Sequence, residues 1–177
     1  SGTTWTSEQV LYINYGTANF GHGIAINDAG NRILVGGPNY TGTYTNQGIV
    51  ALWTRSGTTW SITATYTATG LNDSFLGQGL AISGDGNRAV IGRPGADQFR
   101  IVTVSDYSIG LETIVSMGYY SAQLGYFVDI NTDGSVAVGG AFAYSSNAGW
   151  VVISRRSGTT WTSVTITPSN TAADSYF

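Results

Sequence analysis

The 177-residue chain has no cysteine and no lysine, one histidine (His22), one methionine and three prolines. Without cysteine there can be no disulfide, no thiolate nucleophile and no thiolate metal site. With one histidine, any Ser-His-Asp arrangement must run through His22. Charge is sparse as well: 10% of the residues are charged, against roughly a quarter in ordinary domains. The seven basic residues are all arginine and the formal net charge is −3, so there is no basic field to hold a phosphate backbone, and nucleic acid is not expected as a partner. No apolar run approaches the roughly 18 residues of a spanning helix, so membrane insertion is not expected either.

Glycine, serine, threonine and asparagine stand where charge would be, and they are arranged as a repeat. SGTTW begins at Ser1, Ser56 and Ser157, one and then two periods of about 50 residues apart; the missing copy falls at Ser105–Gly110 (SDYSIG). A second element keeps the period: FGHGIAIN from Phe20, LGQGLAIS from Leu76 and LGYFVDIN from Leu124. Each copy leads through a turn (DAGNR, SGDGNR, NTDGS) into an apolar run (ILVGGP, AVIGRP, VAVGGA). A variable polar loop follows, and then another apolar run (GIVALWTR, FRIVTVSD, GWVVISRR).

Runs this short and this rich in β-branched residues, punctuated by Gly, Asn, Asp and Ser, read as strands joined by tight turns. No stretch reads as helix. One period holds four strands: A (GIAIN), B (RILVGG), C (GIVALWT) and D (TTWSITATYTA). Four antiparallel strands in about 50 residues describe a β-propeller blade. A β-sandwich has no reason to repeat at this length, and solenoid coils are shorter. The expected architecture is all-β, with blades over residues 20–69, 70–120 and 121–169. Residues 1–19 read as the outer strand of a preceding blade with its linker, and 170–177 as a linker to a further blade. Three blades make an incomplete ring, since propellers use about four to eight. The matching ends favour completion by further blades of a longer protein over completion by other copies of the chain.

These residues resemble the FG-GAP repeat of integrin-like propellers, in its bacterial or phage form. Phe20-Gly21 with Gly36-Gly37-Pro38 fits best; Leu76-Gly77 with Gly92-Arg93-Pro94 is looser, and Leu124-Gly125 with Gly139-Gly140-Ala141 lacks the proline. Many integrin-type repeats carry an Asp-rich calcium loop between strands A and B. Here the turns offer only Asp28 with Asn31, Asp85 with Asn87, or Asp133 alone, too few oxygens for a hard cation, so no metal is expected.

His22 shares its repeat position with Gln78 and Tyr126 and reads as a polar residue at the entrance of strand A. Asp73, Asp97, Asp106, Glu112 and Asp129 are too scattered to suggest a glycosidic acid–base pair. Asp129, which replaces Ala25 and Ala81 on an inner strand, reads as a water-bathed residue of the channel. Recurrent Trp5, Trp60 and Trp161, with Trp53 and Trp150, read as packing between blades. Function is expected in the variable loops, where Tyr40, Tyr44, Asn46, Tyr144 and Asn147 combine stacking rings with hydrogen-bonding amides suited to a glycan or protein ligand. Asn39 and Asn72 open glycosylation sequons, relevant only in a eukaryotic source. The sequence therefore suggests a non-enzymatic module without catalytic residues or cofactor. Its expected setting is an extracellular, cell-surface or virion protein, as part of a fibre or adhesin or as a glycan- or peptide-binding head; a propeller glycosidase or lyase is the remote alternative.

Overall fold

The structure, a computed structural model, describes residues 4, 6–118, 121–143 and 149–167. Its twelve strands form three four-stranded antiparallel sheets, each in simple sequential order. Blade 1 holds β1 (Ile24–Ile26), β2 (Arg32–Gly37), β3 (Ile49–Ser56) and β4 (Thr59–Thr67). Blade 2 holds β5 (Leu80–Ile82), β6 (Arg88–Arg93), β7 (Gln98–Ser105) and β8 (Ser108–Ser116). Blade 3 holds β9 (Phe127–Ile130), β10 (Val136–Ala141), β11 (Trp150–Ser157) and β12 (Thr160–Ile166). The only helical element among the described residues is a 3-10 turn, Pro94–Ala96. The fold is thus all-β: blade-like sheets of a partial propeller.

The period-2 pattern decides what each sheet face touches. Leu34, Val50 and Leu52 of blade 1 pack on Ala89, Ile91, Val102 and Val104 of blade 2. The alternate residues of blade 2, Val90, Phe99 and Ile101, pack on Leu124, Ala137, Ala141 and Val152 of blade 3. Strands apolar on both faces are what a sheet buried between two neighbours requires. The free face of blade 1 is covered differently. Residues 6–15 form no strand, so the outer strand expected there is absent among the described residues; the segment instead lays Leu11 and Ile13 against Trp53 and Trp60. Gln9 holds it in place by exchanging two hydrogen bonds with the Trp60 backbone, at 2.8 and 3.2 Å.

The Phe-Gly and Gly-Gly elements of the repeat have a physical cause. Gly21, Gly77 and Gly125 take φ of 93°, 89° and 93°, a region that side chains avoid. Each donates its N–H to a glycine carbonyl at the end of its own blade's second strand: Gly36, Gly92 and Gly140. Gly36 and Gly92 also face the next blade. A Cβ on Gly36 would stand 2.1 Å from the Gly77 oxygen, and one on Gly92 would stand 1.8 Å from the Gly125 oxygen. This ladder corrects the alignment of the third copy. Gly140, not Gly139, is equivalent to Gly36 and Gly92, so the true counterpart of GGP is Gly140-Ala141-Phe142.

Candidate functional site

The linker entering each blade makes the same turn three times. Asn19, Phe75 and Gln123 all lie in the left-handed region, at φ 56°, 52° and 56°. Each accepts the N–H of the residue three positions on: His22 at 3.3 Å, Gln78 at 3.2 Å and Tyr126 at 3.2 Å. The turn therefore projects the side chains of His22, Gln78 and Tyr126 in a row at the end of the sheets where the inner strands begin. Asparagine tolerates this conformation; a phenylalanine there is strained, by an amount on the order of 1–3 kcal/mol. Phe75 is held in it at the wall of a pocket.

Two hollows meet at this row. One, of about 440 Å³, is lined by Asn39, Phe75, Gln78, Asp97, Gln123 and Tyr126 among others. The other, of about 290 Å³, adds His22 and the apolar edge of Ile24 and Phe127. Gln78 and Tyr126 belong to both. The Tyr126 ring is fixed by an edge-on contact with Phe142, at 5.3 Å between centroids, and a tilted one with Phe127 at 4.9 Å. Asp97, buried and at φ 50°, accepts the Gln123 N–H at 2.5 Å and so ties blade 2 to the turn of blade 3. No arginine lines either hollow.

His22 Nε2 lies 3.1 Å from Gln78 Nε2. An amide nitrogen can only donate, so with this amide orientation the imidazole Nε2 is the acceptor, and its one in-plane lone pair takes the Gln78 N–H. An unprotonated imidazole nitrogen, an amide and a phenol in one row can take a proton from water and donate hydrogen bonds to a polarised oxygen.

The loop residues singled out in the sequence lie elsewhere. Tyr40 is half-buried, edge-on to Tyr15 at 5.3 Å, while Tyr15 in turn stacks on Phe20. The Tyr44 N–H is bound by Gln47 Oε1 at 2.8 Å. Asn46, at φ 45°, donates to Asp73 Oδ1 at 2.8 Å. Asn46 thus braces the loop between β2 and β3 against the linker of blade 2, while Tyr40 packs on the first linker and the Tyr44 N–H bonds within the loop. Tyr144 and Asn147 lie outside the described residues. Asp129 is exposed, and its Oδ1 accepts the N–H of Ile130 at 2.8 Å.

The acidic turn residues are engaged locally. Asp85 accepts from Ser83 Oγ at 2.6 Å and from both nitrogens of Asn87. Asp133 accepts from the N–H and hydroxyl of Ser135. Burial opposes the charge of Asp85, but the bonds from Ser83 and Asn87 outweigh it and hold the carboxyl below its usual range. Among the described residues, no three His, Cys, Asp or Glu side chains gather as a metal site would require.

Among the described residues, Glu112 is the one carboxylate set between two cations, Arg88 at 3.1 Å and Arg156 of blade 3 at 3.0 Å. It is the bulged residue of β8, skipped where pairing shifts between Ile101 and Val102, and the bulge turns its side chain into the seam between blades. Burial raises its pKa, but the neighbouring Trp161 indole and the two guanidinium groups prevail, so it ionises below the ordinary glutamate range. It belongs to the packing of blades, remote in sequence from the mouth.

The chain is similar in structure to a provisionally named 6-phosphogluconolactonase from Bacteroides fragilis, with a TM-score of 0.62 at 14% identity over 85% of this chain and 40% of that one. It is similar to another of that name from Bacteroides uniformis, with a TM-score of 0.57 at 10% identity over 81% of this chain and 39% of that one. The chain thus spans about two fifths of the length of these structures. No family model and no curated protein matches it. At such identity the likeness shows the fold alone. It nevertheless corrects the expectation of a non-enzymatic surface or ligand-binding module, and with it the expectation that the chain is no enzyme. Blades of this form occur in proteins named for an enzyme, so a blade repeat without a familiar catalytic motif is no argument against catalysis.

Proposed function

We propose that this chain is part of a propeller hydrolase that opens a small cyclic ester, of the sugar-acid lactone class, at the mouth where the inner strands begin. The observation that carries the reading is the contact of His22 Nε2 with the Gln78 amide, which leaves the only imidazole of the chain as an acceptor at the edge of a polar hollow. The names of the structural neighbours support the choice of reaction class.

In this reading a water displaces the Gln78 amide from His22 Nε2 and gives up its proton there as it attacks the lactone carbonyl. The Gln78 N–H and the Tyr126 hydroxyl donate to the oxygen that gains charge. The ring oxygen leaves with a proton returned from the imidazolium, and the products are a free hydroxyl and a carboxylic acid, which ionises and releases its proton to solvent. Phe75 supplies an apolar wall, while Asn39 and Gln123 suit the hydroxyls of a polyol. The absence of arginine from both hollows fits a ring that is uncharged where it enters.

The test is acid release from δ-gluconolactone, followed with a pH indicator against the spontaneous rate and against a linear ester of the same acid. The expected result is saturable acceleration of lactone opening that exceeds the effect on the linear ester. A rate equal to the spontaneous one overturns the proposal.

A further inference from the structure

The residue leading into the third strand of each blade is left-handed: Gly48 at φ 78°, Asp97 at φ 50° and Gly149 at φ 68°. Strand pairing makes the three equivalent, since Gly36, Gly92 and Gly140 pair with the second residue of β3, β7 and β11. Glycine takes this conformation without steric cost and aspartate does not, yet blade 2 keeps a carboxylate there. Part of the reason is structural. In blade 1 the loop reaches the next linker with main chain, the Asn46 carbonyl accepting the Phe75 N–H at 3.0 Å. Gln123 is the counterpart of Phe75, and from the shorter loop of blade 2 it is Asp97 Oδ1 that accepts its N–H, at 2.5 Å. One neutral oxygen suffices for such a bond, as Asn46 shows.

The second oxygen of Asp97 is not explained by the fold. The residue is 6% exposed; among the described residues its Oδ2 has no hydrogen-bond partner and its carboxylate no ion pair. A buried carboxylate oxygen without a donor is costly, and such groups are met by water or by a ligand. Asp97 lines the hollow of about 440 Å³ together with Phe75, Gln78 and Tyr126. Arg93 lines the neighbouring pocket, which shares Gly95 and Asp97 with the hollow. The two charges offset one another at short range, so the surroundings favour a neutral ligand over an ammonium or an anion. A metal ion would need several oxygens, and among the described residues no three acidic side chains gather.

We propose that Asp97 is the specificity-determining residue of the mouth: its Oδ2 accepts from the hydroxyl groups of a neutral polyhydroxylated ring and so selects sugar lactones over bare ones. The choice of a lactone rests on the reading of the mouth given above; the hydroxyl subsite is tested by binding alone. A hydroxyl donates to a carboxylate in a short, charge-assisted bond, and an oxygen with two lone pairs serves two neighbouring hydroxyls. Gln78 and Tyr126 border both hollows, so a ring whose carbonyl meets that row extends its hydroxyls toward Asp97. The hollow lies within the roughly 300–1,000 Å³ of small-ligand sites.

Asp97→Asn tests the assignment. Asparagine keeps an acceptor for the Gln123 N–H and tolerates the left-handed backbone, but removes the charge. Turnover is measured on δ-gluconolactone and on δ-valerolactone, the same ring without hydroxyls. The expected result is a loss of at least about tenfold in kcat/KM on gluconolactone, carried by KM, with valerolactone and the urea midpoint unchanged. Calorimetric titration with gluconolactam, whose ring amide is not opened, gives a readout free of chemistry: binding to wild type should be at least about tenfold tighter than to Asp97→Asn. Lactam binding that depends on Asp97 in a chain that opens no lactone overturns the catalytic reading and upholds the subsite. Equal losses on both lactones, an undiminished affinity of Asp97→Asn for the lactam, or no saturable lactam binding to wild type each overturns the subsite. Should the variant not fold, wild type decides: a KM for gluconolactone no lower than that for valerolactone overturns it as well.

Discussion

Replacing Gly92 and Gly140 by alanine, one at a time, isolates the contact on which blade stacking rests. The two glycines are equivalent: Gly77 donates to one and Gly125 to the other. Their surroundings differ. A methyl on Gly92 would stand 1.8 Å from the Gly125 oxygen, 2.9 Å from the Gly125 carbon and 3.2 Å from the Gly79 nitrogen, all of them backbone. A methyl on Gly140 meets nothing within 4 Å. Relieving the first clash requires blade 3 to withdraw by more than an ångström along a seam that includes the fully buried Phe99 and Leu124. Overpacking costs about 1–3 kcal/mol where side chains can yield; with main chain on both sides, about 3 kcal/mol or more is expected for Gly92→Ala. Gly140→Ala should fall between neutral and about 1 kcal/mol stabilising, because alanine loses less chain entropy on folding. Urea unfolding followed by tryptophan fluorescence reads the difference. With a slope of about 2 kcal/mol/M, the Gly92 variant should lose about 1.5 M in midpoint while the Gly140 variant stays within about 0.5 M of wild type. Equal midpoints for the two variants would refute the stacking argument.

Two further outcomes follow from the charged groups. Glu112→Gln leaves Arg88 and Arg156 facing one another and should cost about 2 kcal/mol at neutral pH. Because the folded pKa of Glu112 is depressed, that difference should be complete above the unfolded glutamate value of about 4.3 and should vanish as the pH falls through the folded pKa; urea midpoints of both proteins from pH 7 to 3 check it. Chelation with EDTA should move the melting temperature by less than about 2 °C, since Asp85 and Asp133 already spend their oxygens on their own turns. A drop of several degrees that calcium reverses contradicts this.

The blades were legible in the sequence because each strand is buried on a known face and each turn demands particular residues. Ile33–Val35 and Ala89–Ile91 announce a sheet enclosed on both sides, and Gly30, Gly86 and Gly134 announce the hairpins between first and second strands. Register was less legible. The letters Gly139-Gly140-Ala141 match Gly36-Gly37-Pro38 by eye, but hydrogen bonding to the preceding turn decides equivalence, and it selects Gly140. The cover over blade 1 has no period to read, since Leu11 and Ile13 lie on an irregular segment. The mouth was half visible. His22, Gln78 and Tyr126 already shared a repeat position, and a column that varies while its neighbours stay fixed is the signal of a presented side chain. The sequence could not bring the His22 ring to the Gln78 amide, because the two are joined only by stacking of blades. Asp97 was visible as a carboxylate ahead of a strand, but its burial, its left-handed backbone and its unpaired oxygen belong to the fold alone.

The proposed chemistry turns on one side chain, and His22→Asn addresses it directly. Asparagine keeps a polar group of similar reach next to Gln78 but cannot accept and return a proton. General acid–base catalysis contributes about 10²–10⁴-fold, so kcat/KM for δ-gluconolactone opening should fall by at least about 100-fold while the circular dichroism spectrum and urea midpoint stay at their wild-type values. A His22→Asn protein that is equally stable and opens the lactone as fast as wild type contradicts the assignment of the mouth as the active site.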